Sequence, residues 1–304
     1  MERYSRTIKF MLLLLIYLCL IPFVISIFFN VLSNSVGYNF LSSTFLMFIT
    51  PFLCSLLPAV LYFSVTRENY KEVLSLNKIS LSNVILIVIM AILIQPIANF
   101  VSYITSYLFT NTASEAMNSI SDVPFWFFLL ISAILPAIFE EVVFRGIILS
   151  GVRSAGVLKS ALISGLFFGI IHLNPHQFIY AFLIGIVFAL FVIYTKSIYS
   201  SILAHFIING TQGFILYMSK NFYSQEELSV AIQSDFSVAS ILYSGATAIV
   251  FGILFYFVFR YFTKKNEGNL IKSFDDAPQN LITIPFIIII VLFIAYLLFR
   301  ACIL

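Results

Sequence analysis

Charge is what this 304-residue chain has least of. Only 10% of it is Asp, Glu, Lys or Arg, against 61% apolar residues and a mean hydropathy of +1.06. An ordinary soluble domain is about 25% charged. A chain of this size with so few charges cannot cover itself with polar surface in water, which excludes a soluble enzyme, a nucleic-acid binder and a disordered tail. Cysteine is scarce as well: Cys19, Cys54 and Cys302 are the only three. No CxxC or Cys/His spacing joins them, so neither a disulfide framework nor a thiolate zinc site is expected. Cys302 is third from the end, where a prenylation box needs the fourth position. The strict alternation of outer-membrane strands is missing too, as are internal repeats and low-complexity tracts.

What the chain does have is long, unbroken apolar runs, as spanning helices require. Nine segments are read: 10–29, 41–65, 83–108, 124–150, 160–174, 177–195, 197–218, 236–259 and 281–299. The expected fold is all-α, a polytopic transmembrane helix bundle of about 8–9 spans forming one integral membrane domain over 1–304, in contact with the lipid bilayer. Asn174-Pro175 should end the short fifth segment, and Thr195-Lys196-Ser197 must be a tight turn. The first segment follows Arg3, Arg6 and Lys9 but is too long for a signal-peptide core and lacks a small-residue cleavage site, so it is read as an uncleaved span. With the N-terminus cytoplasmic, only Lys220 and Arg300 of the 16 basic residues fall outside, in keeping with the positive-inside rule. The outer loops 109–123 and 219–235 then hold Glu115, Asp122, Glu226, Glu227 and Asp235. Residues 66–82 are expected to form a cytoplasmic interfacial helix, with a solvated connector as the alternative.

The informative residues are ionisable ones within the spans, each costing about 2.5–3.5 kcal/mol on insertion scales. Of 13 acidic residues, eleven sit in termini or loops; the exceptions are Glu140 and Glu141 in AIFEEVVFRG. Of three histidines, His172 and His205 lie inside apolar segments and His176 is nearby. Counting 1.5 Å per residue from Arg153, Lys159 and Lys196 puts Glu140, His172, His205 and Asn209 roughly 14–20 Å from the inner face. Three helices thus bring a carboxylate, two imidazoles and an amide to one depth. Glu141 and Arg145 are i,i+4 and can pair, as can His205 and Asn209. Glu140 is turned about 100° from Glu141 and is left free. Phe168 lies four residues before His172 and can pack on its ring.

Each residue also has an ordinary explanation. Glu141–Arg145 reads as a structural pair, a lone buried His as a packed side chain, Asn209 as helix-packing glue, and His176 as an interfacial residue at a span end. The coincidence of four costly groups at one depth favours a functional cluster. A carboxylate beside an imidazole can activate water, and a second His with an Asn amide can stabilise an oxyanion. Hydrolysis of an amide or ester fits, without a covalent intermediate. Glu140, His172 and His205 are also the ligand types of a hydrolytic zinc site, although HExxH is absent. No Asp lies in a span, and Ser164-Gly165 lacks the usual GxSG setting, so aspartyl and serine chemistries fit poorly.

The three motifs, EExxxR (Glu140, Glu141, Arg145), FxxxH (Phe168, His172) and HxxxN (His205, Asn209), resemble those of the CPBP family of CaaX prenyl endopeptidases and bacteriocin-processing, or Abi-type, membrane proteins. The resemblance covers about 124–218, the motif-bearing core. It implies an intramembrane peptidase in which Glu140 and His172 activate water and His205 and Asn209 hold the oxyanion, with Glu141, Arg145 and Phe168 supporting. A divalent metal such as zinc is argued for such enzymes, and so is a metal-free glutamate mechanism; both stay open. The expected substrate is a hydrophobic peptide or membrane-protein tail and no nucleic acid, and the expected location is a prokaryotic plasma membrane. Rival readings are a Glu/His transporter or proton relay, and a non-enzymatic immunity or scaffold protein.

Overall fold

The computed structural model of the chain describes residues 2–36, 43–109, 123–222, 237–270 and 280–303. Every regular element among them is helical. Nine rods follow in order: α1 (Glu2–Val36), α2 (Phe48–Thr66), α3 (Leu81–Ser106), α4 (Phe125–Ala155), α5 (Val157–Ile170), α6 (Pro175–Thr195), α7 (Tyr199–Phe222), α8 (Val238–Asn266) and α9 (Ile284–Ile303). Each falls on one of the nine apolar segments. Six of them, α1 to α4, α6 and α8, are long and apolar enough to cross a membrane. α5 and α9 are apolar but shorter. α7 has the length, but Ser200, Ser201, His205, Asn209 and Gln212 dilute its apolar character. The outer loops, with Glu115, Asp122, Glu226, Glu227 and Asp235, lie almost wholly outside the described residues.

The expected breaks between helices have visible causes. α5 ends at Ile170, and Leu173 takes a left-handed φ of 48° in the turn that follows. Asn174 then caps α6, its side-chain oxygen accepting the amide hydrogens of His176 and Gln177, with Pro175 in the first turn where its missing N–H costs nothing. Lys196, at φ 54°, makes the tight turn between α6 and α7. Residues 66–82 depart from the expected interfacial helix. Only Tyr70–Val73 is helical, capped by Asn69, and the rest is connector. This segment is instead held by side chains: Asn77 donates to the Lys196 carbonyl at 2.6 Å, and Arg153 donates to Ser75 at 3.1 Å. Arg6 pairs with Glu68 at 2.7 Å and Arg3 with the same carboxylate at 3.3 Å. Arg3, Arg6, Arg153 and Lys196, all counted as inner, therefore gather around this segment.

Within the bundle, α5 lies along α6 so closely that their backbones touch. A Cβ built on Gly165 would stand 2.8 Å from the Ile186 nitrogen, and one on Gly185 would stand 2.9 Å from the Gly165 Cα. Small residues permit this approach, and dispersion between close backbones drives it where lipid offers no hydrophobic contrast. On the outside, Phe23, Ile27, Ile249, Phe257 and Leu298 are exposed, an arrangement that suits hydrocarbon as the solvent. α8 is tied to α3 at the inner end by a reciprocal, buried amide pair, Asn83 with Asn266, at 2.9 and 3.1 Å.

Candidate active site

The helix that carries the two glutamates is not regular. Leu135–Glu141 is α-helical, but it is flanked by π-helical turns at Leu130–Ile134 and Val142–Ile148. Such wide turns re-aim side chains and recur at functional sites. Here the second one begins directly after Glu141. The two neighbouring carboxylates end up in different surroundings.

Glu141 is fully buried, as is Arg145, and the two pair at 3.0 Å. The i,i+4 spacing anticipated this. The same carboxylate oxygen also accepts from His205 Nδ1 at 2.9 Å, a bond between α4 and α7 that sequence spacing does not reveal. The other oxygen, Oε2, has no hydrogen-bond partner among the described residues. Arg145 donates its second terminal nitrogen to the Gly185 carbonyl at 3.1 Å, so the α5–α6 contact exposes an acceptor for it. Its guanidinium lies over the Phe168 ring at 4.3 Å and the Phe188 ring at 5.2 Å, where the faces of both rings attract the cation.

His205 is clamped at both ring nitrogens. With the Nδ1 hydrogen given to Glu141, Nε2 accepts from the Asn209 amide at 3.1 Å. Asn209 also reaches the Ser132 carbonyl at 3.4 Å, in the first π-helical turn. Phe168 stacks edge-on against His172, with centroids 5.0 Å apart, and against His205 at 5.8 Å. Phe168 thus packs on His172 as expected, and also holds Arg145 and His205. Phe188, Gly185 and Ser132 complete the site, and no motif marked them: Phe188 is one of 35 phenylalanines.

Glu140 differs. It is half-buried and makes no hydrogen bond or ion pair among the described residues. Its charge acts on His172, Arg145, Tyr180 and Cys54. His172, just past the end of α5, gives its Nδ1 hydrogen to the Phe168 carbonyl at 2.7 Å. That bond fixes the tautomer and leaves the Nε2 lone pair open, with no partner among the described residues. All seven residues of the three motifs therefore meet in one region, in two connected halves. His176, in contrast, is buried in the first turn of α6, where it meets Ser102 of α3 at 3.2 Å. It is a packed residue there and not an exposed interfacial one.

The donor set does not suit a zinc ion held by Glu140, His172 and His205. Both His205 nitrogens are engaged, and no group of three or more His, Cys, Asp or Glu side chains arranged to hold a metal occurs among the described residues.

Residues 122–211 match a known protein family. It is the Rce1-like family, described as type II CAAX prenyl endopeptidase Rce1-like. The match agrees with the CPBP resemblance and covers 90 of the 304 residues, from the start of α4 to the middle of α7. The Rce1-like segment contains every residue of the site just described, while α1 to α3, α8 and α9 lie outside it. No curated protein and no solved structure matches the chain.

Proposed function

We propose that the chain is an intramembrane endopeptidase that hydrolyses a peptide bond in a hydrophobic peptide or membrane-protein tail. The observation that carries this reading is the contrast at Glu140. A carboxylate with no partner among the described residues stands within electrostatic reach of an imidazole whose Nε2 has none there either. A structural carboxylate in a membrane would be paired, as Glu141 is. An unpaired one is available to take a proton.

In the proposed reaction, Glu140 removes a proton from a water held between it and His172. The water oxygen bonds to the scissile carbonyl carbon, and the carbonyl π electrons move onto oxygen. His205 and Asn209 are the groups that stabilise this oxyanion. Collapse of the tetrahedral intermediate breaks the C–N bond, and the proton taken by Glu140 passes to the leaving nitrogen. One water is consumed, an acid and an amine are released, and the carboxylate is regenerated. On this reading, the oxyanion step requires a rearrangement of the bonds now made. The Asn209 amide must release His205 Nε2, and that nitrogen must carry a hydrogen. This proton is taken up from solvent before the substrate binds and is kept through the cycle; the imidazolium retains its bond to Glu141, whose charge balances it.

Glu141 and Arg145 act as positioning residues, since they touch His205 and not the reacting atoms. A short apolar C-terminal tail belongs to the substrate class named in the family's description, and a prokaryotic plasma membrane is the proposed location. The test is a mass-spectrometric comparison of peptide termini in membranes carrying the wild type or Glu140→Gln at matched expression. New termini that depend on the wild type are expected. Identical termini would point to a scaffold, and altered proton-coupled uptake to a transporter.

A further inference from the structure

Hydrolysis in a membrane needs water at a depth that water does not reach unaided. On the outer half of α3, Gln95, Asn99 and Ser102 follow one another at i, i+4 and i+7, so they share a face. On α8, Ser240, Ser244 and Thr247 repeat the same spacing. Where the two rods pack, an open cleft of about 660 Å³ lies between them; Asn99, Ser240, Ser244 and Thr247 line it together with apolar and aromatic side chains such as Phe100 and Tyr243. The hydroxyls alone decide little. Ser244 and Thr247 donate to carbonyls of their own helix at 2.7 and 2.8 Å and are therefore tolerated in lipid.

Asn99 decides it. This side chain is exposed within a spanning helix, seven residues before its last residue, Ser106. Its oxygen accepts from Gln212 at 3.2 Å, but its own N–H groups have no partner among the described residues. Facing hydrocarbon, unpaired amide hydrogens carry a heavy desolvation cost, and facing water they carry none. Gln212 links this amide to the site. Its nitrogen donates to Asn99 and, at 3.3 Å, to Gln95. It stands on α7 seven residues after His205, two turns along the same face, with Asn209 between them.

We propose that the cleft between α3 and α8 is a water-filled vestibule, and that Asn99 and Gln212 lead water from it to the Glu140–His172–His205–Asn209 centre. The role of that water as a reactant rests on the peptidase reading; the hydration of the cleft does not. The test uses the full chain in liposomes, with Cys19, Cys54 and Cys302 replaced by Ala and single cysteines introduced. A charged, membrane-impermeant methanethiosulfonate is applied to both faces without substrate. Thiolates form in water and not in lipid, so Asn99→Cys and Ser244→Cys should react at least about tenfold faster than Leu242→Cys. Leu242 is exposed at the same depth on the opposite face of α8. Gln212→Cys should fall between the two rates. Equal rates at 99, 244 and 242 overturn the vestibule, and Ser244→Cys decides alone if Asn99→Cys does not accumulate. A reactive position 99 with an inert position 212 overturns the route to the centre. Repeating the labelling in Glu140→Gln should give the same rates, so a failure of the peptidase reading remains distinguishable from a failure of the vestibule.

Discussion

Two faces of one helix, α4, treat the same chemical group in opposite ways. On the Glu141 side the carboxylate pairs with Arg145 and His205, and Arg145 is held in turn by the Gly185 carbonyl and the ring faces of Phe168 and Phe188. On the Glu140 side the carboxylate is half-buried and makes no hydrogen bond or ion pair among the described residues. A buried charge needs a partner, and breaking such a pair costs more than the pair contributes. On the proposed reading, the enclosed side holds shape and the open side keeps its bonding capacity for water and substrate.

The largest expected effect breaks the open side. Glu140→Gln keeps the size of the side chain and removes the base. Cleavage should fall by about 10²–10⁴-fold, with the membrane abundance of the protein unchanged on a quantitative blot. Breaking the enclosed side gives the converse. Glu141→Ala strands Arg145 and frees His205 Nδ1, and should destabilise the fold by about 3–5 kcal/mol, read as lost abundance or lowered detergent-solubilised thermal stability. A smaller effect is expected where the enclosure is supported. Gly185→Val places new atoms against Gly165 and should cost about 1–3 kcal/mol, checked by the same thermal assay. The smallest sharpens the comparison further. Arg145→Lys keeps the charge but cannot serve Glu141 and Gly185 at once with a planar fork; losing one such bond costs about 1 kcal/mol. A Lys variant as damaging as Glu141→Ala would show that the ring faces of Phe168 and Phe188 carry more of the binding than the hydrogen bonds do.

The contrast also shows which parts of the site a sequence can express. Helical spacing alone pairs Glu141 with Arg145 and His205 with Asn209, and sets Phe168 against His172; all three contacts are present. Turn chemistry at Asn174-Pro175 and Lys196 was legible for the same reason, because its cause is local. The Glu141–His205 bond was not, since it joins residues 64 apart through the packing of two helices. The resemblance gave Glu141 a supporting role without naming His205 as what it supports. The π-helical turns at Leu130–Ile134 and Val142–Ile148 carry no Gly or Pro signature beyond Pro136 and Gly146, so nothing local announced them. Residues 66–82 admit either an interfacial helix or a connector from their polar content alone, and the structure is mostly connector. What decides there is a set of distant partners, Lys196, Ser197 and Arg153.

The most direct test of the division between the two faces is a paired measurement on Glu140→Gln and Glu141→Gln, each assayed for membrane abundance and for wild-type-dependent peptide termini at matched expression. The account predicts a split: Glu140→Gln accumulates normally and yields no new termini, while Glu141→Gln accumulates poorly and its surviving protein cleaves less per molecule than the wild type but more than Glu140→Gln. Equal loss of abundance in both variants, or cleavage surviving in Glu140→Gln, would contradict it.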